Sequence, residues 1–356
     1  MSRAIALAAK ARHSTSPNPM VGAVIVRDGE VVGEGLHRRA GGPHAEVVAL
    51  GQAGSSARGA TVYVTLEPCA HQGRTGPCAE ALVAAGVARV VIAHRDPYAA
   101  VSGRGIKLLR AAGVEVAVGD GGAESRALNA GWLRAQHEGR PFVALKFAAT
   151  LDGKSATAGG ESRWITGPAA RGLTHRIRRA YDAVMVGAGT VIADDPQLNA
   201  RGGPAQGRQP LRVVVDGALR SDAGARIHDH QVRGGSLVLA SNRAPQSRRA
   251  AFREAGLQVD VIEAGEPSGR EILAALSARG ISSVLVEGGG ELAWSLVREG
   301  VVDRVYGFFA PLLLGGAAAP TPVGGAGFAA LQDALRLQVV NLRRLGPDVL
   351  VEAVAA

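Results

Sequence analysis

Two cysteines in 356 residues, Cys69 and Cys78, are too few for a disulfide framework of the kind that staples small secreted domains. Lysine is scarce as well: only Lys10, Lys107, Lys146 and Lys154 occur among 40 basic residues. The net charge of +9 and a pI near 10.3 invite a nucleic-acid partner. The arginines are scattered, however, and even the densest run, "HRIRRA" at 175–180, holds few charges. No nucleic-acid partner is therefore expected. Long apolar runs are missing too. The patch Ala4–Ala9 is too short for a signal-peptide core, and Val305–Ala319 is broken by Gly307, Pro311, Gly315 and Gly316. A cytoplasmic protein with no membrane partner is the expectation.

What is present is ample apolar material, 47% of the chain, and 49 glycines. That suffices for two domains of ordinary size. The first part alternates strand and helix patterns. "VGAVIVRDG" and "EVVGEGLH" read as a hairpin turned at Asp28–Gly29. "HAEVVALGQAG" reads as a helix beginning at its histidine, and "ATVYVTL" as a buried strand. "CAEALVAAG", "ARVVIAH", "RGIKLLRAAG" and "VEVAVG" continue the alternation, and "AESRALNAGWLRAQHEG" reads as a helical segment. The boundary falls near Gly139, giving domains 1–139 and 140–356. In the second, "PFVALKFAATLDG", "YDAVMVGAGT", "LRVVVDG", "SLVLAS", "LQVDVIEA" and "SSVLVEGGG" are strands separated by helices. The late strands "VDRVYGFFAP" and "PDVLVEAVA" have only loop between them, so part of that sheet is expected to be antiparallel. Both domains are α/β.

The chemistry concentrates in "PHAE" at 43–46 and "TLEPCAHQGRTGPC" at 65–78. His44 and Cys78 stand at helix starts, where exposed N–H groups favour thiolate, and Cys69 follows a strand. A catalytic zinc takes about three protein ligands, and one His with two Cys supplies them. Glu46, two residues on in the first turn of the same helix, is placed to carry a proton from water to a leaving amine. This is the H-x-E…P-C pattern of zinc deaminases, although eight residues separate the cysteines where that pattern usually has two. A Cys69–Cys78 disulfide and a structural zinc site are the competing readings. "SPNPMVG" at 16–22 carries Asn18, whose amide suits ring edges but which also fits an ordinary turn. In the second domain "VEGGGELA" puts glycines between strand and helix, where backbone N–H groups can meet a phosphate. "TVIADDP" also fits a helix cap and its following loop. By themselves these residues do not define a reductase.

With "NPMVG", "GEGLHRRAGGPHAE", "TLEPCAHQGRTGPC", "ARVVIAHRDP", "GRGIKLLRAAGVEV", "LKFAATLDGK", "GESRWIT", "GTVIADDPQLNAR", "LVEGGGELA" and "APLLLGG" in order, the chain resembles the bifunctional riboflavin-biosynthesis deaminase–reductases over nearly its whole length. The resemblance implies a cytidine-deaminase-like α/β/α layer followed by a dihydrofolate-reductase-like mixed-sheet α/β domain. It implies zinc on His44, Cys69 and Cys78, with Glu46 as proton shuttle and Asn18, His37 and Arg74 touching a pyrimidine ribosyl phosphate. In the second domain it implies NADPH held by Ala148, Trp164, Thr190, Asp194, Gly217 and the turn of Gly289, Gly290, Glu291, Leu292, Ala293, Trp294 and Ser295. Substrate contacts there are Ser162, Arg178, Leu198, Arg201 and Glu287, with Lys146 and Glu287 assisting ring opening and proton delivery. A homo-oligomer, dimer or tetramer, is implied as well. Two other readings stand beside it: a zinc-dependent nucleic-acid base deaminase with an accessory domain, and a non-enzymatic sensor built on a vestigial site.

Overall fold

The first sheet begins as a hairpin because apolar alternation brackets an Asp-Gly pair. The strands β1 (Gly22–Arg27) and β2 (Glu30–Leu36) pair antiparallel, Gly22 opposite Leu36 and Arg27 opposite Glu30. Asp28 and Gly29 both have positive φ, as a tight two-residue turn requires. These and the features below come from a computed structural model describing residues 1–11, 14–70, 76–98, 101–202 and 209–356. Contacts divide the chain into two units, Met1–Gly139 and Arg140–Ala356.

In the first unit α1 (Ser2–Lys10) lays Ala4 and Leu7 on Val24. There follow α2 (Ala45–Ala53), β3 (Thr61–Val64), α3 (Cys78–Ala84), β4 (Arg89–Ile92), α4 (Arg104–Ala111), β5 (Glu115–Val118), α5 (Gly122–Leu128) and α6 (Ala130–Glu138). The sheet order is β2-β1-β3-β4-β5, with β3, β4 and β5 parallel. Ile25, Val62, Val64, Val90 and Ile92 bury one face against Ala45, Ala49, Leu82 and Leu109 of the helices. The helical segment expected over 123–139 is two helices. They break at Asn129, whose side chain is turned inward to the Met20 backbone rather than along the helix.

The second unit runs β6 (Phe142–Thr150), α7 (Pro168–Arg178), β7 (Ala183–Gly187), α8 (Ala188–Asp194), β8 (Leu211–Val215), β9 (Ser236–Ser241), α9 (Gln246–Glu254), β10 (Gln258–Ile262), α10 (Gly269–Ala278), β11 (Ser283–Val286), α11 (Gly290–Arg298), β12 (Arg304–Ala310), β13 (Leu337–Leu345) and β14 (Asp348–Ala355). Its sheet order is β10-β9-β8-β7-β11-β6-β12-β14-β13. Strands from β10 to β12 are parallel, and β14 then pairs antiparallel with both β12 and β13. The core is Val143, Leu145, Met185, Val213, Leu237 and Val284 beneath Leu273, Leu276 and Leu296. Here the sequence reading needs a correction, because the segment between the two late strands is not only loop. β13 lies within it, at the sheet edge, with Val339, Val340 and Leu342 exposed. A strand without a buried face keeps no clean two-residue alternation, and its register slips between Val339 and Asn341.

Candidate active sites

In the first unit the chain leaves β3 and reaches Cys69 through "TLEP". Glu67, buried, accepts backbone hydrogen bonds from Asp96 (3.3 Å), Gly103 (3.0 Å) and Ile106 (3.2 Å), so this turn is tied to the start of α4. Gly105 permits the approach, since a Cβ there would sit 1.9 Å from the Pro68 carbonyl oxygen. His44 is the N-cap of α2 and Cys78 the first residue of α3. Their donors converge: His44 Nδ1 is 3.1 Å from Cys78 Sγ and 3.5 Å from Cys69 Sγ, and all three ligand atoms lie within 4.8 Å of one another. Zn–S bonds of about 2.3 Å and Zn–N bonds of about 2.0 Å at tetrahedral angles separate donors by roughly 3.5–3.8 Å, so this set fits zinc.

The charges agree with that fit. A hydrogen bond from the Cys78 thiol, with help from His44 and the Cys78 N–H, pulls Cys69 down to about 4 against its burial. Cys78 is pushed up by the same shared proton and by burial. Two thiols holding one proton beside an imidazole make an anionic pocket that suits a divalent cation. Glu46 is 3% exposed, and burial lifts its carboxyl to about 7. It stands beside His44 and Cys78, ready to gain or lose a proton near neutrality.

His37 Nδ1 is 3.0 Å from the Pro43 carbonyl oxygen and its Nε2 is 3.1 Å from Asn18 Nδ2. One assignment satisfies both contacts: Nδ1–H donates to Pro43 and Nε2 accepts from the Asn18 amide. Burial lowers the pKa of His37, which keeps this neutral tautomer. Its ring meets the His44 ring edge-on, centroids 5.5 Å apart, so Asn18, His37 and His44 form a row. Arg74 lies outside the described residues. Sequence reasoning missed two further residues. Asp96 is buried and raised to about 6, with the charges of Glu67 and Cys69 adding to burial. Asn129 accepts from the Met20 N–H (2.7 Å) and donates to the Met20 carbonyl (2.9 Å), which pins the loop carrying Asn18. A partner 109 residues away leaves no local signal.

In the second unit a cavity of about 1240 Å³ opens at the C-terminal ends of the parallel strands, the usual place for ligands on such a sheet. It exceeds the roughly 300–1,000 Å³ of ordinary single-ligand pockets. Lys146, Ser162, Arg178, Leu198, Arg201 and Glu287 all line it. So do Ala148, Trp164, Thr190 and Asp194, together with Gly289, Gly290, Glu291, Leu292 and Ser295. Three of the expected cofactor residues are placed elsewhere. The Gly217 carbonyl accepts from the Ser241 backbone and hydroxyl, Ala293 is in the core, and Trp294 packs edge-on against Phe328.

Glu287 is the centre of this cavity's charge. Arg178 grips it with Nε (2.5 Å) and Nη2 (3.0 Å), and Lys146 Nζ stands 3.7 Å away. Burial alone would raise the carboxyl, but Arg178 and Lys146 more than offset it and hold Glu287 below its ordinary value. Burial lowers Lys146, with Glu287 opposing. Ser162 donates to Asp194 at 3.0 Å, joining an expected substrate contact to an expected cofactor contact. Gly288, φ +124°, turns the chain from β11 into α11, and Thr190 Oγ1 would lie 3.1 Å from a Cβ there. This glycine turn offers backbone N–H groups and a helix N-terminus to a phosphate, so the residues present fit a dinucleotide. Arg171, over the Trp164 ring at 4.6 Å, was not foreseen.

Residues 141–351 match a family model described as the RibD C-terminal domain, and residues 1–94 match the cytidine and deoxycytidylate deaminase zinc-binding region. Among curated relatives, the riboflavin biosynthesis protein RibD of Escherichia coli is 41% identical, covering 100% of this chain and 98% of its own. That of Bacillus amyloliquefaciens is 40% identical, covering 99% and 95%. The chain belongs to the RibD family. A solved RibD of Acinetobacter baumannii superposes with a TM-score of 0.89 at 41% identity, covering 100% of this chain and 97% of that one. A Thermotoga maritima diaminohydroxyphosphoribosylaminopyrimidine deaminase/5-amino-6-(5-phosphoribosylamino)uracil reductase gives 0.87 at 37% identity, with the same coverage. Like the family, this protein is a bifunctional deaminase and reductase of riboflavin biosynthesis, with a zinc-binding deaminase domain first and a reductase domain second. The nucleic-acid base deaminase suggested by the motif is not favoured. No helix among the described residues is long and apolar enough to cross a membrane.

Proposed function

We propose that the first domain hydrolyses the amino group at C2 of 2,5-diamino-6-ribosylamino-4(3H)-pyrimidinone 5′-phosphate. The second then reduces the ribosyl group of the product with NADPH, giving 5-amino-6-ribitylamino-uracil 5′-phosphate. The observation that carries this reading is the pairing, in one chain, of a His44–Cys69–Cys78 donor set beside buried Glu46 with a separate cavity centred on Glu287.

His44, Cys69 and Cys78 would hold zinc, which when bound makes water nucleophilic near neutral pH. Glu46, titrating near 7, takes the proton that water loses and returns it to the departing amine, so that ammonia leaves as the C2 carbonyl forms. Asn18, oriented by His37, faces the pyrimidine edge. In the second domain NADPH supplies the hydride. Its contacts are Ala148, Trp164, Thr190, Asp194, Gly289, Gly290, Glu291, Leu292 and Ser295, all of which line the cavity. Arg178 holds Glu287 ionised, and Glu287 in turn orients Lys146. Lys146, its ammonium disfavoured by burial, gives a proton as the ribosyl ring opens. Ser162, Leu198 and Arg201 complete the substrate site, with Arg201 on the phosphate. The protein works in the cytoplasm as a homo-oligomer, a reading supported by the exposed apolar residues on edge strand β13.

The test follows NADPH oxidation by the zinc-loaded protein given the diamino substrate, beside Glu46→Gln. Wild type oxidises NADPH, and the variant does so only when supplied with the deaminated compound. If neither oxidises NADPH even with that compound, the reductase half of the reading is wrong.

A further inference from the structure

The cavity of the second domain carries more positive charge than the roles above use. Lys146 and Arg178 face Glu287. Arg163 donates to the Asp194 carbonyl, and Arg171 donates to the Thr166 carbonyl while covering Trp164. Arg220 and Arg226 also line the cavity, yet among the described residues neither guanidinium has a hydrogen-bond or ion-pair partner. Both are presented by fixed backbone. Buried Asp216 accepts from the N–H groups of Arg220 (2.9 Å) and Ser221 (2.7 Å) and from the Ser221 hydroxyl (2.8 Å). The Arg226 N–H donates to Asp195 at the end of α8 (2.8 Å).

Their place on the sheet says which anion they meet. Lys146 is on β6 and Glu287 follows β11, while the segment from Arg220 to Arg226 follows β8. The order β6-β11-β7-β8 separates the two ends by three strand spacings, about 14 Å at roughly 4.8 Å each. A ribose 5′-phosphate reacting at Lys146 and Glu287 is too short to reach that far. An extended dinucleotide does reach. With its hydride-bearing ring beside Lys146 and its pyrophosphate at the Gly288–Gly290 turn between β11 and β7, its adenosine end arrives at β8.

We propose that Arg220 and Arg226 bind the 2′-phosphate on the adenosine ribose of NADPH and thereby set its preference over NADH. The proposal rests on NADPH being the coenzyme, as inferred above. A phosphomonoester carries nearly two negative charges, and paired guanidinium donors answer that charge and its three oxygens.

The experiment measures KM for NADPH and for NADH with the deaminated substrate, in wild type, Arg220→Ala and Arg226→Ala. It adds the Kd of adenosine 2′,5′-bisphosphate and of 5′-AMP, read by calorimetry without turnover. Each variant should raise KM for NADPH about 10- to 100-fold, the range for losing hydrogen bonds to a charged group. KM for NADH should move less than about threefold, and binding should weaken only for the bisphosphate. Arg220→Gln and Arg226→Gln, which keep the side-chain stem, should give the same split if the alanine variants melt early. Parallel loss for both coenzymes overturns the proposal, as does a raised KM for the pyrimidine substrate with the coenzyme preference intact. Wild type that oxidises neither coenzyme overturns the NADPH reading and this one together. Wild type that prefers NADPH, with variants that keep the preference, overturns this one alone.

Discussion

Glu287→Gln tests whether one carboxylate organises the reductase site. The change preserves shape and removes the only anion facing Arg178 at 2.5 and 3.0 Å and Lys146 at 3.7 Å among the described residues. Lys146 can escape by giving up its proton, whereas Arg178 cannot, and its side chain is only 12% exposed. Removing one partner of a buried pair costs about 3–5 kcal/mol. Arg178 keeps its bond to the Asn199 carbonyl, so the lower end of that range applies. For a domain of this size each kcal/mol shifts Tm by roughly 2–4 °C, giving a fall of about 10 °C in the transition of the second domain. Under the proposed mechanism, in which Glu287 faces substrate and orients the proton donor Lys146, reductase kcat/KM should fall at least about 100-fold. A cycle with Arg178→Met isolates the pair. With both charges gone neither is stranded, and the double variant should cost about 2 kcal/mol or more less than the sum of the singles. Strict additivity, or a Tm change below about 2 °C in Glu287→Gln, would refute the reasoning.

The remaining predictions concern one side chain each. Cys78→Ser, or chelation of the native protein, should reduce bound zinc from about one per chain toward none and abolish deamination; atomic absorption beside an ammonia assay reads both. Asn129→Ala should raise the deaminase KM about tenfold, from two lost hydrogen bonds to Met20, with a smaller effect on kcat. Asn129→Asp should raise KM as well, because its carboxylate still accepts from the Met20 N–H but turns an oxygen against the Met20 carbonyl in a buried site; KM unchanged in both variants would contradict the pinning role. His228 is buried and its pKa is lowered to about 4, chiefly by burial and then by Arg212. The unfolded chain therefore binds the extra proton between about pH 6.5 and 4. Stability is full above that window and is lost as pH falls through it, by up to about 3 kcal/mol. Denaturant titrations across the window should show this slope in wild type and a flatter one in His228→Gln.

Much of the deaminase site was legible because its chemistry is local. His44 and Glu46 share one helical turn, and each cysteine follows a proline at the edge of an element, so spacing alone brought the donor set together. What holds that set was not legible. The Glu67 carboxylate reaches three backbone N–H groups some 29 to 39 residues away, and Asn129 reaches 109, with no periodicity to announce either contact. The reductase site came from the family resemblance, since Arg178 and Glu287 are again 109 residues apart and no local spacing joins them, although each stands in a stretch noted for other reasons. β13 escaped notice because pattern reading detects burial, and this strand has almost none.

Glu46 and Glu287 show why burial by itself does not assign a role. Both carboxylates are almost wholly withdrawn from solvent, and burial is the largest influence on each. At Glu46 the helix backbone, His44 and Cys78 oppose it only in part, and the carboxyl is lifted to about 7, a value that suits the proton transfer proposed for it. At Glu287 two fixed cations reverse the outcome, so the group keeps its charge and serves as an anchor. In the mechanism proposed above, the same residue type thus moves a proton in one domain and holds a charge in the other. The neighbours decide the difference: an imidazole and two thiols in the first domain, a guanidinium and an ammonium in the second.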